Sequence, residues 1–513
     1  MRATKGSTGR GTPGTSLRVA TSWSYALSLG KMAISLSLAF VLAAILGPRA
    51  FGVIAMALVF INFVEVLQQQ GLMPAIVARK ELTARHADTA FWLVIAVGLG
   101  CTAAAVALAP WWADLNGLPE LAPVIRVLAL TVPLTSTVVV HEALLRRQLA
   151  FKKLTVRTWV SLIAGGIAGV LGAVLGLGVW ALVLQQVVTS AVLVAVLWTV
   201  SSWRPRFRVD GVAARQLWSY STRAATSSLG LFLGSRVDIL LTGLFFGPVI
   251  VGLYRLAQRL TATAVDVTAR GMQAVALPGL SGVQDDSGAF AGRLLRMQRI
   301  TSMLALPLLG LLAGAALPLE QLLGPEWEST ATAIRLLALM QAFAAISLLL
   351  GPALQAWNRP GTLSIVIWIS SGLKVLALVS AAWFLDSDGL IALCIAMIVA
   401  TALSSILIVA VATRVLSLRV ADMVGVWIPG GLGALVALGV TWGTVILLDL
   451  QPLGELAVSG VAGALAAGMV MLSVSPELRG SVADVQARLV RGQRHGRRMR
   501  APAGQDAAAE EAR

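Results

Sequence analysis

Apolar runs of about 20 residues recur from Ser22 to Leu472, separated by short polar stretches. Inside hydrocarbon a backbone amide has no water to bond, so only helices and closed barrels cross a bilayer, and runs this long fit helices. The pattern predicts an all-α integral membrane protein with helices at 22–46, 52–72, 89–112, 122–145, 156–176, 178–200, 217–246 and 249–276, then 298–318, 331–354, 361–384, 389–412, 424–447 and 456–474. That is fourteen. Only 12% of residues are charged, half the usual share of about 25% in a soluble domain.

Basic residues mark the cytoplasmic side of a membrane protein. With the N-terminus inside, the inner segments carry Arg2, Lys5, Arg10 and Arg18; Arg79, Lys80 and Arg85; Arg146, Arg147, Lys152, Lys153 and Arg157; and Arg204, Arg206, Arg208 and Arg215. Arg293, Arg296, Arg299, Arg359, Arg414 and Arg419 follow on the same side. The outer loops hold one basic residue, Arg49, and are otherwise acidic: Asp114, Glu120, Glu320, Glu326, Glu328, Asp386, Asp388, Asp449 and Glu455. A missed span would scramble this alternation, so both termini are expected in the cytoplasm. The net charge of +16 sits in loops and tails, which points to anionic lipid headgroups and away from nucleic acid. Cys101 and Cys394 each fall inside a span, too few and too isolated for a disulfide framework or a metal site.

The first helix ends in Gly47-Pro48-x-x-x-Gly52 and the seventh in Gly247-Pro248-x-x-x-Gly252, the same turn repeated at an offset of 200. Gly-Pro ends one helix and starts the next, because proline suits a first helical turn. Six helices lie between the paired turns, which preserves orientation and implies a parallel repeat. The expected organisation is a cytoplasmic tail at 1–21, an N-lobe of helices 1–6 at 22–212 and a C-lobe of helices 7–12 at 213–412. Helices 13 and 14 at 413–474 form an appendage outside the repeat, and a basic tail at 475–513 is expected to be disordered.

A charge at mid-helix costs about 2.5–3.5 kcal/mol on insertion scales, so each one needs a partner or a wet cavity. Arg255, Arg259, Asp266, Arg270 and Gln273 fall on one stripe of helix 8, about 60° wide at 100° per residue. Arg236 and Asp238 in helix 7, Lys31 in helix 1, Glu65 in helix 2 and Lys374 in helix 11 complete the set; His141 and Glu142 lie near the inner end of helix 4. Structural pairing, such as Arg236 or Arg259 with Asp238 or Asp266, accounts for single residues. It does not account for the surplus of cations, which suits an anionic ligand such as a diphosphate held by guanidinium forks. Glu65, Asp238 and Asp266 are open to two readings, as structural partners or as sites for a coupling proton or Na⁺.

Several ordered motifs run through the first 330 residues: Leu46-Gly47-Pro48-x-x-Phe51-Gly52, Gly71-Leu72, His86-Ala87-Asp88-Thr89-Ala90-Phe91-Trp92, Leu149-Ala150-Phe151-Lys152 and Gly178-Val179-Trp180-Ala181-Leu182. Trp203-Arg204-Pro205, Asp238 to Gly243, Tyr254-Arg255-Leu256-Ala257-Gln258-Arg259-Leu260 and Gly324-Pro325-Glu326-Trp327 continue the series. With these the chain resembles the polysaccharide-biosynthesis flippases of the multidrug/oligosaccharidyl-lipid/polysaccharide exporter superfamily, in the exopolysaccharide and O-antigen repeat-unit branch. The resemblance implies two six-helix lobes plus two helices in a bacterial cytoplasmic membrane. It also implies alternating access and a cationic cavity for a polyisoprenyl-diphosphate-linked glycan. Cavity walls in that superfamily are helices 1, 2, 7 and 8, which here carry Lys31, Glu65, Arg236, Asp238, Arg255 and Arg259. Family members often carry a basic residue shortly after the glycine at 243, where this chain has Leu244-Phe245-Phe246. Membrane lipids and a glycan polymerase or other assembly protein are the expected partners, and no cofactor is expected.

Three rival readings make different demands. A membrane-embedded glycosyltransferase or polymerase needs a large outer loop, and Asp386-Ser387-Asp388 sits in a short one better explained as a turn. A drug or cation antiporter of the same superfamily calls for twelve helices and an acidic cavity. A transport-dead scaffold would act through the basic tail. The predicted topology has a direct check. A reporter fused after His86 or Arg208 is expected to be active in the cytoplasm, and one fused after Pro119 or Glu326 active outside.

Overall fold

A computed structural model describes residues 13–78, 83–148, 150–384, 389–448 and 450–474, and among them there is helix and no strand. The first half of the chain forms α1 (Pro13–Ala78), α2 (Ala84–Leu115), α3 (Leu121–Ala129), α4 (Thr131–Ser136), α5 (Val139–Arg147), α6 (Phe151–Val174) and α7 (Val179–Val200). The second half forms α8 (Gly211–Ser281), α9 (Ser287–Gly314), α10 (Ala316–Leu323), α11 (Thr330–Ser347), α12 (Leu350–Ala356), α13 (Pro360–Phe384) and α14 (Gly389–Val415). Then come α15 (Val420–Gly425), α16 (Ile428–Leu448) and α17 (Pro452–Val474). Among the described residues, eleven stretches are long and apolar enough to cross a membrane, or twelve when Leu121–Ser136 and Val139–Arg147, bent by 45°, count as one. This is a multi-pass membrane protein. α1 begins at Pro13, so residues 13–21 of the segment read as a cytoplasmic tail are helical. The expected tail at 475–513 and the turn at Asp386-Ser387-Asp388 lie outside the described residues.

The two longest helices are hairpins in disguise. At 1.5 Å per residue a straight α1 would run about 100 Å, more than three bilayer cores. Each long helix instead breaks at one glycine: Gly47 takes φ 70°, ψ 170° in α1 and Gly247 takes φ 77°, ψ 175° in α8. Positive φ strains any residue with a Cβ, and the following proline starts the return arm at its fixed φ. The repeated Gly-Pro turn is therefore a repeated bend.

The two bends cross and seat on each other. A Cβ on Gly52 would lie 1.7 Å from the carbonyl oxygen of Pro248, and one on Gly252 would lie 1.9 Å from that of Pro48. No side chain fits in either gap. Around this crossing the two halves share their cores: Ile239 and Val251 of α8 pack with Val53, Ile54 and Met56 of α1, while Ala43 of α1 packs with Leu253, Tyr254 and Leu256 of α8. The short 3₁₀ turn Pro325–Trp327 clamps the same end. Its Trp327 indole donates to the Ala43 carbonyl at 2.9 Å and stands edge-on to Phe51, centroids 5.7 Å apart.

A second repeat accompanies the first. Ile125-Arg126-Val127-Leu128-Ala129-Leu130 at α3 and Ile334-Arg335-Leu336-Leu337-Ala338-Leu339 in α11 match in all but the third residue. The halves then differ in what covers them. Arg335 lies 5.8 Å over the Trp442 ring of α16, with its Nε 3.4 Å from the Ala313 carbonyl, whereas Arg126 is exposed. The expected appendage is in close contact with the second half. A Cβ on Gly310 of α9 would lie 2.3 Å from the Ala434 carbonyl, and one on Gly430 of α16 would lie 2.5 Å from that of Ser302. Small residues let membrane helices approach this closely and gain packing that lipid cannot replace.

Gly52→Ala and Gly252→Ala are each expected to cost about 1–3 kcal/mol by overpacking the crossing. The check is the melting temperature of purified protein in detergent, against Gly271→Ala, where nothing lies within 4 Å and no loss is expected.

Candidate functional site

The bends give a ruler for depth. Ser35 precedes Gly47 by 12 residues and Arg259 follows Gly247 by 12, so both lie about 18 Å along their helices from the crossing. They meet there: an Arg259 guanidinium nitrogen donates to the Ser35 carbonyl at 2.6 Å and also to the Ser35 hydroxyl. The expected pairing of Arg259 with Asp238 or Asp266 is not the one formed. Arg259 instead reaches across from one hairpin to the other, to a neutral acceptor, and its side chain stays exposed. Lys31, one turn before Ser35 on the same face, is exposed as well.

Asp238 stands on the first arm of α8, nine residues before the bend, and is 6% exposed. Its Oδ1 accepts from its neighbour's amide, Ile239, at 2.9 Å. Its Oδ2 accepts from the Tyr254 hydroxyl at 3.2 Å and from Gln258 Nε2 at 2.9 Å, both on the second arm. Gln258 Nε2 also lies 3.2 Å from the Tyr254 oxygen, and its Oε1 accepts from Arg255 Nη1 at 2.8 Å. The carboxylate is thus satisfied by neutral donors across the bend, with Arg255 one amide away.

The remaining expected residues are more scattered. Among the described residues, Lys31, Glu65 and Lys374 make no hydrogen bond or ion pair, and Glu65 and Lys374 are half-buried. Lys374 is on α13, which packs against α8. Asp266 is half-buried two turns beyond Arg259. The side chains of Arg236 and Arg270 lie outside the described ones. No group of three or more potential metal ligands occurs among the described residues. A cavity of about 490 Å³ among Ser281, Gln284, Asp285, Gln355, Trp357 and Asn358 has one charged side chain, an acid, and so does not suit an anion.

The charges flagged in helix 4 are structural. Glu142 accepts from Arg146 at 2.7 Å and from Arg157 of α6 at 2.6 Å, with the Arg157 side chain 10% exposed. His141 is fully buried beside Trp198 and Trp203, centroids 4.9 and 5.0 Å away. Tyr254, Gln258 and Ser35 are the residues that sequence reasoning missed as site components, because a search for embedded charge passes over neutral polar groups. The tyrosine and glutamine recurring at turn spacing beside Arg255 were the available signal.

A family model described as polysaccharide biosynthesis protein matches residues 41–332, more than half of the chain. The chain belongs to that family. It is 27% identical over 318 residues to the succinoglycan biosynthesis transport protein ExoT of Rhizobium meliloti, covering 62% of this chain and 64% of that one. It is 23% identical over 322 residues to the lipopolysaccharide biosynthesis protein WzxC of Escherichia coli, covering 62% and 65%. In both cases the match spans a little under two thirds of the relative's length. The fold is that of the lipid II flippase MurJ in an inward closed conformation, with a TM-score of 0.71 at 13% identity over 89% of this chain and 99% of that one.

Glu142→Ala is expected to lower stability by about 3–5 kcal/mol, because it leaves the buried Arg157 charge without its acid. Adding Arg157→Met is expected to recover most of that loss, and thermal melts of the two variants give the comparison.

Proposed function

We propose that this protein is a flippase, not an enzyme, that carries a polyisoprenyl-diphosphate-linked oligosaccharide from the inner to the outer leaflet of a bacterial cytoplasmic membrane. The observation that carries the reading is the set of cations at mid-depth between the crossed hairpins. Arg255 and Arg259 stand one turn apart on α8, Arg259 reaches Ser35 one turn from Lys31, and Asp238 beside them is bonded to neutral donors, at a depth where an embedded charge is expensive. A diphosphate is a rigid, doubly anionic group whose oxygens suit guanidinium forks. An acceptor of full charge would take Arg259 from the neutral carbonyl of Ser35. Arg236 and Lys374 are further candidates for the same headgroup on helices 7 and 11. Membership in the polysaccharide biosynthesis family and the transport and biosynthesis roles in the relatives' names support the substrate class, and the fold of a lipid flippase supports the mode of transport.

In this reading α1 and α8 each cross the membrane twice, which gives fourteen spans, two six-helix lobes and both termini in the cytoplasm. The bends at Gly47 and Gly247 then lie at the outer face. Their crossing shuts that side, so alternating access requires the two halves to separate there before the headgroup can leave outward. Glu65, Asp238 and Asp266 are the candidate sites for a coupling proton or Na⁺, and Glu65, with no hydrogen bond or ion pair among the described residues, is the first to test. A drug antiporter of the same fold would need a cavity of the opposite charge. A glycan polymerase acting on the outer leaflet is the expected downstream partner.

The test is deletion of the gene in its host, with labelled lipid-linked glycan followed by leaflet and complementation by Arg255→Ala/Arg259→Ala. Accumulation on the inner leaflet, unrescued by a normally inserted double variant, is the expected result. Lipid-linked glycan that still reaches the outer leaflet but is not polymerised would return the protein to the enzyme class.

A further inference from the structure

A buried carboxylate and an arginine this close would ordinarily pair, and the network at the α8 bend prevents it. Gln258 has two donors and one acceptor group at the end of its side chain. Its Nε2 faces Asp238 Oδ2 at 2.9 Å and the Tyr254 oxygen at 3.2 Å, so its Oε1 must face away from the acid, and there it meets Arg255 Nη1 at 2.8 Å. Flipping the amide would set its carbonyl against the carboxylate and its donors against the guanidinium. One orientation is therefore forced by Asp238, and that orientation fixes one edge of Arg255. Tyr254 is 0% exposed and holds the acid from the other side, so the arrangement is braced by both arms of the hairpin.

We propose that Gln258 is a positioning residue: it aims the Arg255 guanidinium at an anionic headgroup and, as an uncharged spacer, keeps Asp238 from neutralising it. This rests on the reading of Arg255 as a diphosphate ligand. An ion pair would hold Arg255 as firmly, but it would set a fixed negative charge against the cation the ligand needs. An amide transmits the orientation of the carboxylate without contact between the two charges. Removing the amide leaves the guanidinium and the acid within a rotamer change of each other, and the arginine closes onto Asp238.

The experiment uses full-length protein in detergent micelles with farnesyl diphosphate as the probe, and farnesol as the uncharged control. Gln258→Ala, and the near-isosteric Gln258→Met should alanine not fold, are expected to weaken binding about tenfold or more, the scale of one charge-assisted hydrogen bond. The double variant Gln258→Ala/Arg255→Ala is expected to bind no more weakly than Arg255→Ala alone, since both changes remove the same contact. The deciding variant is Gln258→Ala/Asp238→Asn. With no carboxylate left to capture Arg255, it is expected to bind several-fold more tightly than Gln258→Ala. A merely structural glutamine gives the opposite order, with the second substitution adding damage, and that order overturns the proposal. Binding by Gln258→Ala and Gln258→Met equal to that of the unaltered protein overturns it as well. Absence of saturable binding to the unaltered protein sinks the diphosphate reading itself, and the proposal with it.

Discussion

The seating of Gly52 on the Pro248 carbonyl and of Gly252 on the Pro48 carbonyl organises the molecule. Two long hairpins cross at their bends, and the contact is backbone against backbone because neither glycine offers anything longer. The constraint behind it is the bilayer, which requires every peptide group to find its bond within the chain and so favours long unbroken helices. At these two bends the chain changes direction sharply within a single residue that takes positive φ, Gly47 in one and Gly247 in the other. Once the bends are fixed, depth along each arm is fixed too. Arg259 then meets Ser35, and Asp238 meets the Gln258 amide that holds Arg255, at levels set by helix rise rather than by any loop.

That geometry explains how charge is afforded inside the membrane. Asp238 is bonded to a hydroxyl and an amide, Arg259 to a carbonyl and a hydroxyl, and Arg255 to an amide oxygen. These bonds are all to neutral dipoles, and none of them is an ion pair. Where a buried pair forms in the first half, between Glu142 and two arginines, it staples α5 to α6.

Much of the fold was legible in the sequence. Hydropathy located the membrane helices because the bilayer selects length and apolarity locally, and the Gly-Pro repeat located both bends. The site was legible only as a set of charges. Arg259 and Ser35 are 224 residues apart, and nothing in either segment names the other. Gln258 carries no charge and could be read as one more polar residue on the helix 8 stripe's flank. The close fit of α16 on α9 was hidden for a different reason: its glycines and alanines look the same in hydropathy whether they face lipid or another backbone. The recurring Ile-Arg-x-Leu-Ala-Leu was present in plain sight but falls in segments where a search for turns does not look.

The close fit of α16 on α9 also bears on motion. With Gly310 lying against Ala434 and Gly430 against Ser302, α16 has no freedom to slide on α9 and must travel with it, and α17 with α16. The first half carries no such ballast and keeps Arg126 on its surface. A bilayer is a viscous sheet, and a body turning in it is slowed by the annulus of lipid it sweeps. In the proposed alternating access the halves rotate against each other, and the second half, wider by two helices, would meet the greater drag and turn less. Although the chain is built from a repeat, its two halves would then not share the stroke equally.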